Sequence, residues 1–169
     1  MKTLSIILIS AIVVLIVSLL VINLFTSRSI KTEVVIDSSA DKVWNELMAH
    51  GDYSEWNSFI KCITGSSLEG ENLSVTIQNP GNDPLDFRPV VLVNKTNQEF
   101  RWVGKLLIKG VFDGEHYFIL EQMNDNQTRF ILGENFTGIL SGLLLNMIAR
   151  DTKHGFILMN EALKNLVES

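Results

Sequence analysis

The sequence predicts an α+β fold in which a long C-terminal helix packs on a curved antiparallel sheet, preceded by one apolar helix. Three observations support this prediction. A charge-free apolar run opens the 169-residue chain, strand-like runs separated by turn residues fill its middle, and apolar residues at helical spacing close it. A length of this order favours one folded domain with an appendage.

The appendage is the apolar run from Leu4 to Phe25, whose only polar interruptions are three serines and Asn23. An apolar helix of roughly 20 residues spans a bilayer core of about 30 Å. A signal peptide has a shorter apolar region, of roughly 7–15 residues, followed by a small-residue cleavage site that this stretch lacks. We therefore expect a transmembrane anchor over residues 1–28, which contacts the bilayer through residues 4–25, and a folded domain over residues 29–169. Removal of the run as a signal peptide is the alternative.

The membrane topology follows less directly from the sequence. Lys2 flanks one side of the apolar run, and Arg28 and Lys31 flank the other, so the basic residues are nearly balanced. We expect a single-pass protein of the bacterial inner membrane with its domain outside the cytoplasm, and the opposite side stays open. A lone cysteine, Cys62, excludes an internal disulfide, is most simply a small buried side chain, and does not decide the compartment.

The charge of the domain excludes one class of function. Residues 31–169 hold 12 lysines and arginines against 19 acidic residues, a formal charge of −7. Proteins that bind nucleic acid need a basic surface, so we expect no nucleic-acid partner. We expect a monomer, attached to the membrane mechanically through one helix.

The first elements of the domain follow a connector over residues 27–31. Residues 32–37 are typical of a strand. A helix over residues 40–49 is predicted by a cap at Ser38 with Asp41 three residues on. Its apolar face would carry Val43, Trp44, Leu47 and Met48. Gly51 ends it, and the aromatic stretch that follows predicts a second short helical turn.

Six strand-like runs come next, each separated from its neighbour by turn residues. They cover roughly residues 60–68, 72–79, 86–95, 98–107, 113–122 and 127–136. The short connections favour an antiparallel meander. A final helix is predicted from the 3–4 spacing of Ile148, Thr152, Gly155, Met159, Leu163 and Leu166. Because glycine costs about 1 kcal/mol inside a helix, Gly155 indicates a close approach to the sheet.

These segments carry a resemblance to a known superfamily. In order along the chain, they are SADKVWNEL, YSEWNSFI, FRPVVLVNKTNQEFRWVGKL, GVFDGEHYFILEQ, TRFILGENFTGIL and GFILMNEALKNLVE. As an ordered set they resemble the START-like (SRPBCC) group of polyketide cyclases and lipid-transport proteins. The resemblance implies a helix-grip fold, with a cavity between sheet and helix that binds lipids, sterols, polyketides or other hydrophobic molecules. A minority of such proteins are enzymes, and the fold alone does not define the activity.

The resemblance also implies which residues face the ligand. Two aromatic residues, Trp56 and Phe59, would lie near the cavity mouth, and six residues would point inward, namely Trp102, His116, Phe118, Phe130, Glu134 and Phe136. Many relatives carry histidine at the position of Leu132, so the cavity here would be more apolar than usual.

Chemistry in this cavity would depend on His116 and Glu134, which lie on strands joined by one short turn. A partly desolvated carboxylate beside an imidazole can act as an acid–base pair, or can orient the polar end of a ligand. The two remaining histidines and Cys62 are scattered, without metal-binding spacing, and no nucleophile motif occurs, so we expect no metal, no cofactor and no covalent catalysis.

Three functions remain open at this point. The first is a membrane-anchored protein that holds a hydrophobic small molecule or lipid. The second is an enzyme of the cyclase or dehydratase type that uses His116 and Glu134. The third is a protein-interaction module without a small ligand. The apolar run over residues 138–145 is predicted to be buried in the last helix, and the alternative is a lip that touches the bilayer.

Overall fold

The computed structural model describes residues 2–25, 28–79, 81–106 and 108–169. It has an α+β fold with an antiparallel sheet, a long C-terminal helix and one N-terminal apolar helix. The helices are α1 (Lys2–Phe25), α2 (Ala40–Met48), α3 (Tyr53–Trp56) and α4 (Ser141–Glu168). The strands are β1 (Arg28–Ile36), β2 (Ile60–Gly65), β3 (Leu73–Ile77), β4 (Leu85–Phe87), β5 (Val90–Lys95), β6 (Glu99–Leu106), β7 (Phe112–Asn124) and β8 (Gln127–Thr137).

The apolar helix α1 stands apart from the core. Its segment Ser5–Ile22 is long and apolar enough to cross a membrane, and none of that segment is buried. A signal sequence near the N-terminus can also meet these criteria of length and composition. The predicted connector is shorter than expected, because β1 already begins at Arg28.

The strands are divided between two antiparallel sheets rather than joined in one. The large sheet has the order β1-β8-β7-β6-β5, and the small sheet has the order β2-β3-β4. The run predicted as one strand over residues 86–95 is split by Pro89, which has no N–H to donate to a ladder. The Pro89 carbonyl instead accepts the N–H of Leu73 at 2.9 Å, which joins the two sheets near β5.

The start of α2 differs from the prediction by one residue. Ser39, not Ser38, is the N-cap, and its Oγ accepts the N–H of Lys42 at 3.4 Å. The Ser38 carbonyl is already engaged, since it accepts a 2.8 Å hydrogen bond from the Thr128 hydroxyl. The apolar face of α2 is as expected, with Val43, Trp44 and Leu47 buried.

Helix α4 packs mainly on β1 and closes the core over the large sheet. Two polar contacts fix this packing: Asn160 Nδ2 donates to Thr32 Oγ1 at 3.0 Å, and Lys164 Nζ donates to the Val35 carbonyl at 2.8 Å. Near the end of the helix the core position belongs to Val167 rather than to Leu166.

Candidate ligand cavity

A cavity of about 210 Å³ lies between the large sheet, the small sheet and the first half of α4. Its wall is mostly apolar, with a few polar groups. The lining residues are Phe59, Val75, Ile77, Asn79, Leu85, Phe87, Pro89, Trp102, Gly104, Lys105, Leu106, Phe112, Gly114, His116, Glu134, Phe136, Leu144, Ile148 and Thr152.

The cavity opens to solvent at one end of the large sheet. Two lining residues there, Leu85 and Leu106, are 60% and 43% exposed, whereas Trp102 and His116 are 3% and 1% exposed. Sites for drug-sized ligands typically measure roughly 300–1,000 Å³. The cavity here is smaller than this range, so it accommodates one ring system or one segment of a longer apolar molecule.

Two polar groups of the wall, His116 and Glu134, belong to one row across the large sheet. Strand register places Trp102 opposite His116, and His116 opposite Glu134. Residues that are directly opposite in an antiparallel sheet point to the same face. An indole, an imidazole and a carboxylate therefore lie side by side on the cavity wall.

The ring of His116 is held by aromatic neighbours. The Trp102 ring stacks on it at 4.7 Å with 10° between the planes, and Phe118 meets it edge-on at 4.9 Å. From α4, the buried Phe156 makes a second edge contact with the His116 ring at 5.4 Å. These contacts fix the orientation of the imidazole without using its nitrogens.

Neither nitrogen of His116 has a hydrogen-bond partner among the described residues. The nearest acidic atom is Glu134 Oε2, which lies 3.6 Å from His116 Nδ1, within ion-pair range but beyond a good hydrogen bond. A buried polar group without a partner costs about 1–3 kcal/mol. A hydroxyl or amine of a bound molecule would remove this cost by bonding to the ring and donating to the carboxylate together.

Gly114 leaves the space that the carboxylate of Glu134 occupies. A Cβ at position 114 would overlap Glu134 Oε1. The neighbouring Gly104, opposite Gly114 on β6, has open space instead, since its nearest neighbour would be Pro89 Cβ at 3.9 Å. Gly114 therefore leaves room for the Glu134 side chain, and Gly104 widens the cavity.

Phe59 is positioned by the turn before β2. The side-chain Oδ1 of Asn57 accepts the N–H groups of Phe59 and Ile60, each at 2.9 Å, and Asn57 is 1% exposed. The Phe59 ring then fits against α4, where a Cβ at Gly155 would lie 2.5 Å from its Cδ2. The close approach expected at Gly155 is thus to Phe59 rather than to the sheet.

The structure places the predicted site residues in two groups. Five line the cavity, namely Phe59, Trp102, His116, Glu134 and Phe136. Phe118 and Phe130 do not line it, because they continue the same sheet face towards α2, where both rings are fully buried and stack at 6.0 Å. Trp56 also lies away from the wall and packs on the Tyr53 ring at 4.9 Å. Contact of the five with a ligand stays a prediction.

Sequence reasoning missed the contribution of the small sheet and of α4. The small sheet supplies Val75, Ile77, Leu85 and Phe87, and α4 supplies Leu144, Ile148 and Thr152. Alternation at i and i+2 in β3 and β4 was the available signal for the small sheet. Leu132 is fully buried but is not on the wall, so its apolar character affects the core rather than the cavity.

The other candidate groups lie outside the cavity. Cys62 is exposed on β2, so the expectation of a buried thiol was wrong. His50 is partly buried between Tyr53 and Phe100, with ring centroids at 5.6 and 5.7 Å, and burial lowers its pKa to about 4. Within the described ranges, no three histidine, cysteine or acidic side chains converge as metal ligands would.

Comparison with known proteins identifies the fold. No protein-family model and no curated protein sequence matches the chain. Among solved structures, an aromatase/cyclase from a Streptomyces species superposes with a TM-score of 0.68 at 11% identity, covering 85% of this chain and 94% of that one. A START superfamily protein from Mycobacterium smegmatis gives 0.62 at 16% identity, covering 83% and 97%.

A third similar structure contains small aromatic molecules. Norcoclaurine synthase from Thalictrum flavum, in complex with dopamine and hydroxybenzaldehyde, gives a TM-score of 0.63 at 13% identity, covering 86% of this chain and 90% of that one. Together these similarities show that the chain has the START-like, helix-grip fold. At such identities they define the fold and not the activity.

Proposed function

We propose that this protein is a membrane-anchored binding protein that holds a hydrophobic small molecule, or part of a lipid, in the cavity between its sheets and α4. The observation that carries the proposal is an apolar cavity with two polar side chains, His116 and Glu134, adjacent on its wall. Apolar lining with a few placed polar groups is typical of sites for small molecules.

Each part of the wall would have its own role in binding. The rings of Phe59, Trp102 and Phe136 would remove the apolar body of the ligand from water, at about 25 cal/mol for each Å² of apolar surface buried. His116 and Glu134 would bind one polar end, with a ligand hydroxyl or amine donating to the carboxylate. The preferred ligand is therefore an amphiphile with one hydrogen-bonding head and a compact apolar body.

The anchor is the second part of the proposal. The Ser5–Ile22 segment of α1 has the length and composition of a membrane span and buries none of its residues in the protein. An exposed apolar helix of this length is stable in a bilayer, where every backbone polar group is paired within the helix. Membrane attachment thus explains why the apolar surface of α1 is not buried against the rest of the protein.

Native mass spectrometry with lipid extraction tests the binding function. The full chain, purified from its native membrane in mild detergent, should carry a defined hydrophobic molecule in near-stoichiometric amount. The variant Gly104→Val is a matched control, because Gly104 lines the cavity and a Cβ there meets nothing closer than Pro89 Cβ at 3.9 Å, so the added side chain should reduce the space for a ligand. An empty wild-type chain that takes up no fatty acid, sterol or polyketide would contradict the proposal.

An enzyme of the cyclase or dehydratase type is the rival function, favoured by the same pair. In a dehydration, one group would remove a proton from carbon and the other would protonate the departing hydroxyl, which leaves as water. The variant His116→Ala separates the functions. A binding protein should lose affinity modestly, an enzyme should lose turnover at nearly unchanged affinity, and an interaction module should show neither change.

A further inference from the structure

We infer that the cavity opens onto the bilayer surface itself, through a ring of apolar side chains around its mouth that contacts the lipid. This inference rests on the anchor in the proposed function. The ring, called the apolar rim here, consists of Leu85, Leu106, Ile108, Leu143 and Met147. Its occupant would be the lipid of the membrane in which α1 is embedded.

The rim residues are far more exposed than apolar side chains usually are. Ile108, Leu143 and Met147 are 67%, 63% and 71% exposed, and the lining residues Leu85 and Leu106 are 60% and 43% exposed. Single exposed apolar residues are ordinary, but a group around one opening marks an interaction surface. Leu85 and Leu106 line the cavity, and Leu143 and Met147 each precede a lining residue of α4, Leu144 and Ile148. Whatever covers the rim would therefore also cover the way into the cavity.

Backbone hydrogen bonds hold the rim together. The turn between β6 and β7 is joined to the chain before α4, since the Gly110 carbonyl accepts the N–H of Ile139 and the Val111 carbonyl accepts that of Leu140, both at 3.0 Å. Ile108 in this turn and Leu143 in the first turn of α4 are thereby kept at the same end of the fold. This part of the rim, which carries Ile108 and Leu143, is a built surface rather than a loose loop.

The anchor leads directly to this end of the fold. Only two residues separate the end of α1 at Phe25 from Arg28, a reach of at most about 11 Å. Arg28 is paired with Phe136 of the cavity wall and donates to the Ser141 hydroxyl, at the start of α4, at 3.1 Å. The end of α1 is therefore close to the start of α4, the helix that carries Leu143 and Met147, and α1 also contacts α4 and β8.

The distribution of charged residues near the rim is compatible with contact between the rim and a membrane surface. The two segments that carry most of it, residues 104–112 and 138–150, contain basic residues but no aspartate or glutamate, although the domain as a whole is acidic. On the β4 side of the rim, Asp83 and Asp86 flank Leu85, and these acidic side chains would not be attracted to anionic lipid. The inference therefore does not depend on attraction to anionic lipid. Apolar contact would supply most of the binding energy.

Lipid-depth quenching of a label on Met147 tests the inference. The full chain with Cys62→Ser and Met147→Cys would carry an environment-sensitive fluorophore, in vesicles of phosphatidylcholine that include a phosphatidylcholine with a nitroxide near its headgroup. The label should lose most of its emission to the nitroxide and resist iodide in the water. Met123→Cys is the matched control, because it lies 11 residues along β7 from Phe112, about 36 Å, and should show the opposite pattern.

The outcomes distinguish this inference from the proposed function. A chain that resists carbonate extraction but whose Met147 label is quenched by iodide alone overturns the inference and leaves the anchor intact. A label that resists both quenchers indicates a second copy or another protein on the rim, and also overturns it. A chain that carbonate releases from the vesicles refutes the anchor and the inference together.

Discussion

His116 shows how a polar side chain is kept inside an apolar wall. Its ring is clamped by Trp102 and Phe118, so its orientation does not depend on hydrogen bonds. Both nitrogens therefore stay available, next to the carboxylate of Glu134. Aromatic packing and an unpaired polar edge together give a site that is ordered before a ligand arrives, which lowers the entropic cost of binding.

The space at Gly114 yields a first prediction. Gly114→Ala should displace the Glu134 carboxylate, because the new methyl group would overlap Oε1, and ligand affinity should fall roughly ten-fold or more with the loss of a charge-assisted hydrogen bond. Gly104→Ala is the control for an added methyl group on the cavity wall, since its methyl group meets nothing closer than 3.9 Å and leaves Glu134 in place. Isothermal titration with the co-purified ligand would compare the two. Equal affinities would show that Glu134 does not hold the polar end.

Partly buried His50 makes stability depend on pH. Burial lowers its pKa to about 4, whereas the unfolded chain binds this proton near 6.5. Between about pH 6.5 and pH 4 the unfolded state thus binds more protons than the folded state. The free energy of unfolding should therefore decrease as the pH falls through this window. His50→Phe keeps a ring against Tyr53 and Phe100 and should flatten the pH dependence in urea titrations. An unchanged slope would exclude His50 as its source.

At the scale of elements, the contact between α4 and the turn before β2 shapes the deep end of the cavity. Asn57 fixes the backbone of Phe59, and the missing side chain at Gly155 admits its ring. Phe59 also meets Phe156 edge-on at 5.2 Å. The turn before β2 and helix α4 therefore form one wall of the cavity together, and neither element would form it alone.

Gly155→Ala tests this contact. Overpacking typically costs about 1–3 kcal/mol, and the better helix propensity of alanine returns about 1 kcal/mol, so a net loss of roughly 1 kcal/mol is expected. The melting temperature of the full chain in micelles should fall by a few degrees. Phe59→Leu in the same chain should offset part of the loss, and strictly additive effects would mean that the two residues are not in contact.

Several elements could be predicted from the sequence, and the exceptions have physical causes. The face of α2 and the long helix α4 follow from local periodicity, and the order of strands follows from turn residues. The division into two sheets depends on one missing N–H at Pro89 and on pairing between distant segments, which periodicity does not report. The cap of α2 moved to Ser39 because a distant hydroxyl, that of Thr128, binds the Ser38 carbonyl.

The candidate site was predictable where strand alternation and resemblance agreed. His116, Glu134 and Trp102 were expected on one face, and their register places them on the cavity wall. Phe118 and Phe130 share that face, but α2 covers their end of the sheet, and alternation cannot distinguish wall from core. The small sheet and the start of α4 join the wall only through tertiary packing.

At the scale of the whole molecule, α1 is separate from the buried core of the remaining chain. The described Ser5–Ile22 segment of α1 contributes nothing to the buried core. A chain that begins at Arg28 should therefore keep its fold and its ligand, and should appear in the aqueous fraction after carbonate extraction. Circular dichroism and native mass spectrometry would measure these properties. Loss of the ligand on removal of α1 would show that the helix completes the site.

The short link between α1 and β1 limits what an anchored form of this protein can do. A reach of about 11 Å is small compared with the gap between two membranes or between a membrane and a distant enzyme. Such a protein cannot carry its ligand from one membrane to another as a freely diffusing carrier would. Under the proposed function, it would take up a molecule from the membrane directly beneath it, hold that molecule there, and present it to a partner at the same surface.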